Sequence, residues 1–118
     1  MNWHRNDSAV SVSSAHEVYR LEAEAQAREI ATRTNFEEIE QGTSNLRSWL
    51  RDSNSTTDWA ALGFDGNPRE EHDDLTRLLD AYRTSATSSP LDSDVNDSRE
   101  TAYLDAVCAL REKYDYSS

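Results

Sequence analysis

The stretch SAHEVYRLEAEAQAREI, residues 14–30, decides the fold class because it carries both a helix start and a helical period. Ser14 followed three residues later by Glu17 is a capping box, in which each residue satisfies a free N–H group of the first turn. Small and apolar residues then recur on one face at steps of four and three: Tyr19, Ala23, Ala27 and Ile30, with Val18, Leu21 and Ala25 beside them. The stretch predicts a helix with a narrow stripe suited to close helix–helix approach.

The pattern continues on the C-terminal side of this stretch. Phe36 and Ile39 extend the helix to Gly42, giving about 26 residues if TRTN, residues 32–35, does not break it. Thr43 or Ser44 is expected to cap a second, shorter helix, whose apolar side consists of Leu46, Trp49 and Leu50. The polar run RDSNSTT, residues 51–57, predicts a loop, and a turn that buries Trp59, Leu62 and Phe64 follows it up to Gly63 and Gly66.

A third and a fourth helix are predicted in the second half of the chain. Asn67, Pro68 and two glutamates form a cap, a first-turn proline and an acidic first turn. The apolar face of the third helix consists of Leu75, Leu78, Leu79 and Tyr82, and that of the fourth of Tyr103, Leu104, Val107, Leu110 and Tyr114. Between them RTSATSSPLDSD, residues 83–94, has the composition of a Ser/Thr/Pro linker. We therefore predict an all-α domain, a small helical bundle of three or four main helices that begins near residue 15 and ends near residue 115.

Residues 1–13 have no helical stripe, and we expect them to form an extended N-terminal arm beside a helical domain of residues 14–118. The arm contains one aromatic residue, Trp3, and the valine pair Val10 and Val12. An isolated aromatic side chain on a polar tail often fills a pocket on another surface. These three residues are the predicted partner-binding site, and folding of Trp3 back onto the bundle is the equally weighted alternative.

The charge of the chain limits the class of partner. Twenty-three acidic residues face 12 basic ones, which gives a formal net charge of −11, and Lys113 is the only lysine. Such a surface repels nucleic acid and anionic membrane, so neither is expected as a direct partner. Abundant Asp and Glu with almost no Lys is also typical of proteins from organisms that live in strong salt, where ions screen the repulsion. On that interpretation, much of the acidity is adaptation to salt.

The alternating oxygens of Asp92, Asp94 and Asn96 match the first half of a calcium-binding EF-hand loop. The second half is missing, because Asp97 stands where the loop needs glycine and Tyr103 where it needs the closing glutamate. The same residues suit a helix cap, because Asp and Asn side chains accept hydrogen bonds from first-turn N–H groups. We predict the cap, and no calcium binding of consequence.

No catalytic motif accompanies these elements, and no cofactor or metal is predicted. His72 stands among acidic neighbours, but none lies three or four residues away, as a ligand pair on a helix requires. The single cysteine, Cys108, is expected to be a small buried apolar residue. Trp49 and Trp59 are expected in the core, since each falls on an apolar face.

Two classes of function remain, both without enzymatic chemistry. The first is a structural or assembly protein that joins larger proteins, or other copies of itself, in a multi-subunit particle such as a virus particle, where it would be an adaptor. The second is an acidic inhibitor, either a nucleic-acid mimic or an immunity-type protein that covers a basic site. Acids and arginines one turn apart at Glu24–Arg28, Glu29–Arg33 and Asp73–Arg77 indicate locally compensated surfaces and favour assembly. The expected location is the cytoplasm, or a particle assembled there, because no apolar run or leader pattern suggests a membrane protein.

Overall fold

The fold is described from a computed structural model, which gives the backbone of residues 2–53 and 57–116 and the side chains of residues 15–53 and 57–116. In these residues four helices follow one another: α1 (Asn2–Gly42), α2 (Ser44–Asp52), α3 (Pro68–Ser88) and α4 (Ser93–Lys113). The described residues contain no strand. The all-α prediction is confirmed.

Each of the four helices in the described residues has one end where the sequence predicts it. The Asn67 side chain accepts a hydrogen bond from the Glu70 N–H at 3.0 Å, and Pro68 follows in the first turn. The Asp92 side chain accepts one from the Val95 N–H at 3.2 Å and so caps α4. α1 ends at Gly42, and TRTN does not interrupt it. α2 begins at Ser44 as expected, but the Thr43 hydroxyl does not cap it and bonds to the Ile39 carbonyl oxygen at 2.7 Å instead.

The structure corrects the expected conformation of the N-terminal segment. The backbone of residues 2–13 is helical and continuous with the rest of α1, so the segment is not extended. Nothing from Asn2 onward breaks the helix, since the first glycine of the chain is Gly42 and both prolines lie after it. The side chains of Trp3, Val10 and Val12 lie outside the described part of the structure, so their predicted contact with a partner stays a prediction.

The core lies where the last turns of α1 meet α2, α3 and α4. Its buried apolar residues are Phe36, Leu46, Leu50, Leu75, Leu79, Tyr82, Ala86, Tyr103, Val107 and Leu110. α3 and α4 share the largest interface, joined by the four-residue connection 89–92. The apolar faces predicted for these two helices are confirmed.

Two loop predictions need correction. α3 continues through Ser88, because Ser85 and Ala86 are buried against the bundle, so only the end of the predicted 83–94 linker is a loop. In the turn before α3, Gly63 and Gly66 adopt left-handed φ angles of 89° and 83°, which glycine tolerates best. Trp59 and Phe64 are half-buried there, but Leu62 is 63% exposed because it lies on the outside of the turn.

Candidate interaction surface

The N-terminal part of α1 extends beyond the bundle. At about 1.5 Å per residue, the 41 residues of α1 span roughly 60 Å, and the whole chain measures 88 Å by 19 Å by 19 Å. We call residues 15–31 the projecting segment. Almost every residue in it is exposed, and none is buried.

This segment displays most of the large apolar side chains that the described residues leave in solvent. Val18, Tyr19, Leu21 and Ile30 are 55%, 73%, 54% and 65% exposed. Single exposed apolar side chains are ordinary, whereas several on one helix indicate a surface that contacts something else. The projecting segment is therefore the first candidate for an interaction surface.

The exposed apolar residues lie on two different faces of α1. Val18, Leu21 and Ala25 continue, at steps that keep to one helix face, into Thr32, Phe36 and Ile39; we call the first three the inner stripe. Tyr19, Ala23, Ala27 and Ile30, here called the outer stripe, lie on the other side of the helix.

The inner stripe belongs to the face with which α1 packs on the bundle. The Thr32 hydroxyl donates a hydrogen bond to the Pro90 carbonyl oxygen at 3.0 Å. Phe36 is 6% exposed, and its ring meets that of Tyr82 edge-on at 5.1 Å. The sequence pattern predicts the outer stripe as the contact face, but the α1 residues that pack on the bundle, Thr32 and Phe36, lie in line with the inner stripe. The contact face of α1 is thus covered from Thr32 onward and bare over the inner stripe.

Glutamates flank the inner stripe on both sides. In a heptad whose first position is Val18, Glu17 and Glu24 occupy one flank and Glu22 and Glu29 the other. Arg20 pairs with Glu17 at 2.6 Å, and Arg33 pairs with Glu29 at 2.7 Å.

Two of the flanking glutamates have no ion partner among the described side chains. Glu22 and Glu24 form no ion pair with any side chain that the structure describes, so the predicted Glu24–Arg28 pair is not found there. The predicted Glu29–Arg33 pair is confirmed. Arg77 pairs with Asp74 rather than with Asp73, because the residue three positions earlier also lies one turn away.

A groove opens between α1 and α3 where the projecting segment leaves the bundle. It encloses about 250 Å³, and its walls include Phe36 and Ala86 with Arg33, Glu40 and Arg83 at the edge. Arg83 forms an ion pair with Glu40 and lies over the Phe36 ring, 5.4 Å from its centre. The groove is open and partly apolar, and it adjoins the same face of α1.

Aromatic rings cluster at another place on the bundle surface. Trp49, Trp59, Phe64, Tyr114 and Tyr116 are all half-buried, with neighbouring ring centres 5.2 to 6.4 Å apart. The cluster holds the loop before α3 against α2 and the end of α4. The two tryptophans therefore pack at the margin of the core rather than inside it.

Two ionisable side chains, one in this cluster and one next to it, have pKa values shifted by their surroundings. Burial raises the pKa of the Tyr114 hydroxyl, which has no hydrogen-bond partner among the described groups. The Glu71 carboxylate, 2.6 Å from the Lys113 ammonium, raises the pKa of Lys113 through their hydrogen bond. Both shifts accompany packing and pairing, and neither places a nucleophile or a base in a cleft.

A second groove, of about 320 Å³, lies beside Trp59. Two of its polar side chains are engaged in local structure: Asp58 accepts a hydrogen bond from the Ala61 N–H at 3.2 Å, and Asn67 caps α3. These two oxygens fix the loop before α3 and are not free to bind a ligand.

The residues that match half of a calcium-binding loop, Asp92, Asp94 and Asn96, form the start of α4. Asp92 caps α4, whereas Asp94 and Asn96 lie inside its first turn, so the three side chains do not share one loop. Asn96 is buried, and its amide donates to the Ser89 carbonyl oxygen at 2.9 Å. The predicted cap is confirmed.

The remaining candidates for chemistry stand apart from one another. Cys108 is exposed, contrary to expectation, because Val107 and Leu110 take the core-facing positions of α4. The His72 ring lies 3.2 Å from a carboxylate oxygen of its neighbour Asp73. Among the described side chains, no group of three or more His, Cys, Asp and Glu is arranged to hold a metal ion.

Comparison of the chain with protein-family models, curated proteins and solved structures found no match in any of the three. In the part of the chain that the structure describes, every helix is too short or too polar to cross a membrane.

Proposed function

We propose that this protein is a non-enzymatic assembly component that joins larger proteins in a multi-subunit particle, with the projecting segment of α1 as its attachment element. An adaptor in a virus particle, in a host that lives in strong salt, would have these properties. One observation carries the proposal: a helix anchored in the bundle by its last turns presents two bare apolar stripes beyond it.

The anchoring gives the attachment element a defined direction. The Thr32 and Phe36 contacts hold the base of the projecting segment against the bundle. A helix that lays apolar residues at steps of three and four into a partner's groove is a recurrent mode of recognition between proteins. The small side chains of Ala23, Ala25 and Ala27 allow a partner to approach the helix closely.

The size of the protein in its native extract tests the proposal. The full chain should elute as part of a species much larger than its own 13.4 kDa, whereas the purified chain alone should not reach that size. A variant with Val18, Leu21, Tyr19 and Ile30 all changed to Glu should elute as the free chain. The matched control changes Leu62, Leu91 and Val95, which are exposed on the bundle itself, to Glu and should remain in the large species.

Two results would contradict the proposal. One is a wild-type chain that elutes alone from the native extract in both low and high salt. The other is an equal loss of the large species in both variants, which would place attachment on no particular surface. Circular dichroism of each purified variant ensures that the bundle is still folded.

A further inference from the structure

We propose that the inner stripe, Val18, Leu21 and Ala25, docks a basic amphipathic helix of a partner protein and rejects a second copy of this chain. This inference rests on the proposed function, since it names the chemistry of the partner that the projecting segment would hold. Three observations carry it: the bare continuation of the α1 packing face, the glutamates on both of its flanks, and an arginine within the face.

The inner stripe is the continuation of an interface that already exists within the chain. From Thr32 to Ile39 this face of α1 packs on the bundle, and Phe36 is buried there. Over the inner stripe the same helix face has no cover, with Val18 and Leu21 more than half exposed. A partner helix laid along it would extend the helix–helix contact of the bundle along α1.

The flanks decide which helix can lie there. In paired helices the positions beside the apolar seam face the corresponding positions of the partner, and their charges select the partner and its orientation. Here all four such positions, on both sides of the stripe, are glutamates: Glu17 and Glu24 on one side, Glu22 and Glu29 on the other.

A second copy meets repulsion in either orientation. In a parallel pair the two different flanks face each other, and in an antiparallel pair each flank faces its own counterpart. Every such combination opposes glutamate to glutamate, in a chain whose net charge is already −11. Like charges placed opposite one another disfavour pairing, so a second copy of this chain is a poor partner for the stripe.

A partner helix with Lys or Arg on its flanks satisfies the same positions. Glu22 and Glu24, which lack an ion partner among the described side chains, would gain one. The aliphatic stems of long basic side chains would also cover Val18 and Leu21 while their charged ends reach the carboxylates. Basic flanks therefore add both charge and apolar contact.

Arg28 limits how the partner helix can be aligned along the stripe. It falls on the edge of the stripe between Ala25 and Thr32, at steps of three and four. A polar residue at a seam position fixes the register of paired helices, because only one alignment gives it a suitable neighbour. The partner helix should accordingly carry one acidic residue within its apolar seam, opposite Arg28.

Two synthetic helical peptides of equal length and equal apolar seam test the proposal against the full chain. One has lysine at every flank position and the other glutamate, and both have one acidic residue in the seam. Binding is measured by fluorescence anisotropy at the lowest salt concentration at which circular dichroism shows the full helical signal. The lysine peptide should bind at least about tenfold more tightly than the glutamate peptide, and the preference should shrink as salt is added.

Charge reversal on the flanks separates a specific face from general acidity. Glu22→Lys with Glu24→Lys should lower the preference for the lysine peptide by about tenfold or more. The control, Glu38→Lys with Glu112→Lys, makes the same charge change at two exposed positions away from the inner stripe and the groove beside it, and it should keep the preference. Leu21→Asp should weaken binding of the lysine peptide, because it removes the apolar contact.

Three outcomes would overturn the inference. Equal effects of the two double variants would show that the lysine peptide senses only the net charge. Equal binding of the two peptides would show that the flanks select nothing. Dimerisation of the purified chain that Leu21→Asp abolishes would show that a second copy covers the stripe. If any of these occurs while the chain still elutes in a large species from native extract, the proposed function stands and only the partner chemistry falls.

Discussion

The hydroxyl group of Tyr103 joins three segments of the chain at the centre of the bundle. Tyr103 is fully buried, and its oxygen lies 2.7 Å from the Thr43 hydroxyl and 2.5 Å from an Arg47 nitrogen. Arg47 also donates to the Glu40 carbonyl oxygen at 2.7 Å, so one guanidinium ties the end of α1 to α2 and α4. A buried polar group stabilises the fold only while all its hydrogen-bond partners remain.

Removing this hydroxyl should therefore destabilise the bundle. We expect Tyr103→Phe to lower the free energy of unfolding by about 1–3 kcal/mol, because Thr43 and Arg47 lose a partner in a site with little water. Denaturant unfolding followed by circular dichroism measures the change. Tyr19→Phe is the control, since the Tyr19 side chain is 73% exposed and its hydroxyl stays hydrated, so its effect should stay within about 0.5 kcal/mol. Equal changes in the two variants would contradict a structural role for the Tyr103 hydroxyl.

Single side chains show where prediction from the sequence stops. The sequence predicts Asn67 and Asp92 as caps, because a cap depends on neighbours within three residues. It also predicts that Leu62 and Cys108 are buried, but both are exposed, because burial depends on segments that are distant in sequence. The Thr43–Tyr103 hydrogen bond crosses 60 positions of the chain, and no local pattern indicates it.

Among the elements, α3 and α4 carry both a cap and an apolar period, and the sequence predicts them. α1 carries the same two marks, but its predicted start at the Ser14 capping box is wrong, because the helix begins at Asn2. Residues 83–88 have the composition of a linker, yet burial of Ser85 and Ala86 keeps them in α3. Residues 2–13 lack an apolar stripe, yet their backbone continues α1. In the candidate surface, the sequence pattern indicates both stripes of α1 but not which face of the helix packs on the bundle farther along, because that depends on where the bundle contacts the helix.

The two parts of α1 should differ in local stability. A helix without tertiary contacts is marginal in water, whereas α3 is held by buried residues along its length. We expect backbone amides of residues 15–31 to exchange hydrogen much faster than those of Leu75 to Tyr82, as measured by exchange and mass spectrometry on the purified chain. Addition of the lysine-flanked peptide should slow exchange in residues 15–31 and leave α3 unchanged. Strong protection of residues 15–31 in the dilute chain alone would contradict the view that this surface is bare.

The molecule as a whole combines high charge with a small core. Its net charge is −11, and the buried apolar residues in the described part of the chain form one cluster shared by four helices. Self-repulsion lowers the stability of the compact state, and local pairs such as Glu17–Arg20 and Asp74–Arg77 compensate only part of the acidity. Exposed ion pairs of this kind add little to the stability of the fold, and added salt weakens them. Added salt also weakens the repulsion between carboxylates, so its two effects on stability have opposite signs.

The effect of salt on the melting temperature therefore shows whether repulsion between carboxylates or attraction within local ion pairs is larger. We expect repulsion to be larger, so the melting temperature should rise clearly between about 0.1 M and 1 M sodium chloride. Over that range the Debye length falls from about 10 Å to about 3 Å, which screens repulsion between carboxylates on different helices. The rise should flatten toward 1 M, because screening is then nearly complete, whereas a salt excluded from the protein surface would keep adding stability at higher concentration. The variant Glu37→Gln with Glu38→Gln has less negative charge and should show a smaller rise. A flat response in the wild-type chain would mean that the acidity is balanced within the molecule, and a continued linear rise would assign the effect to surface exclusion instead of charge.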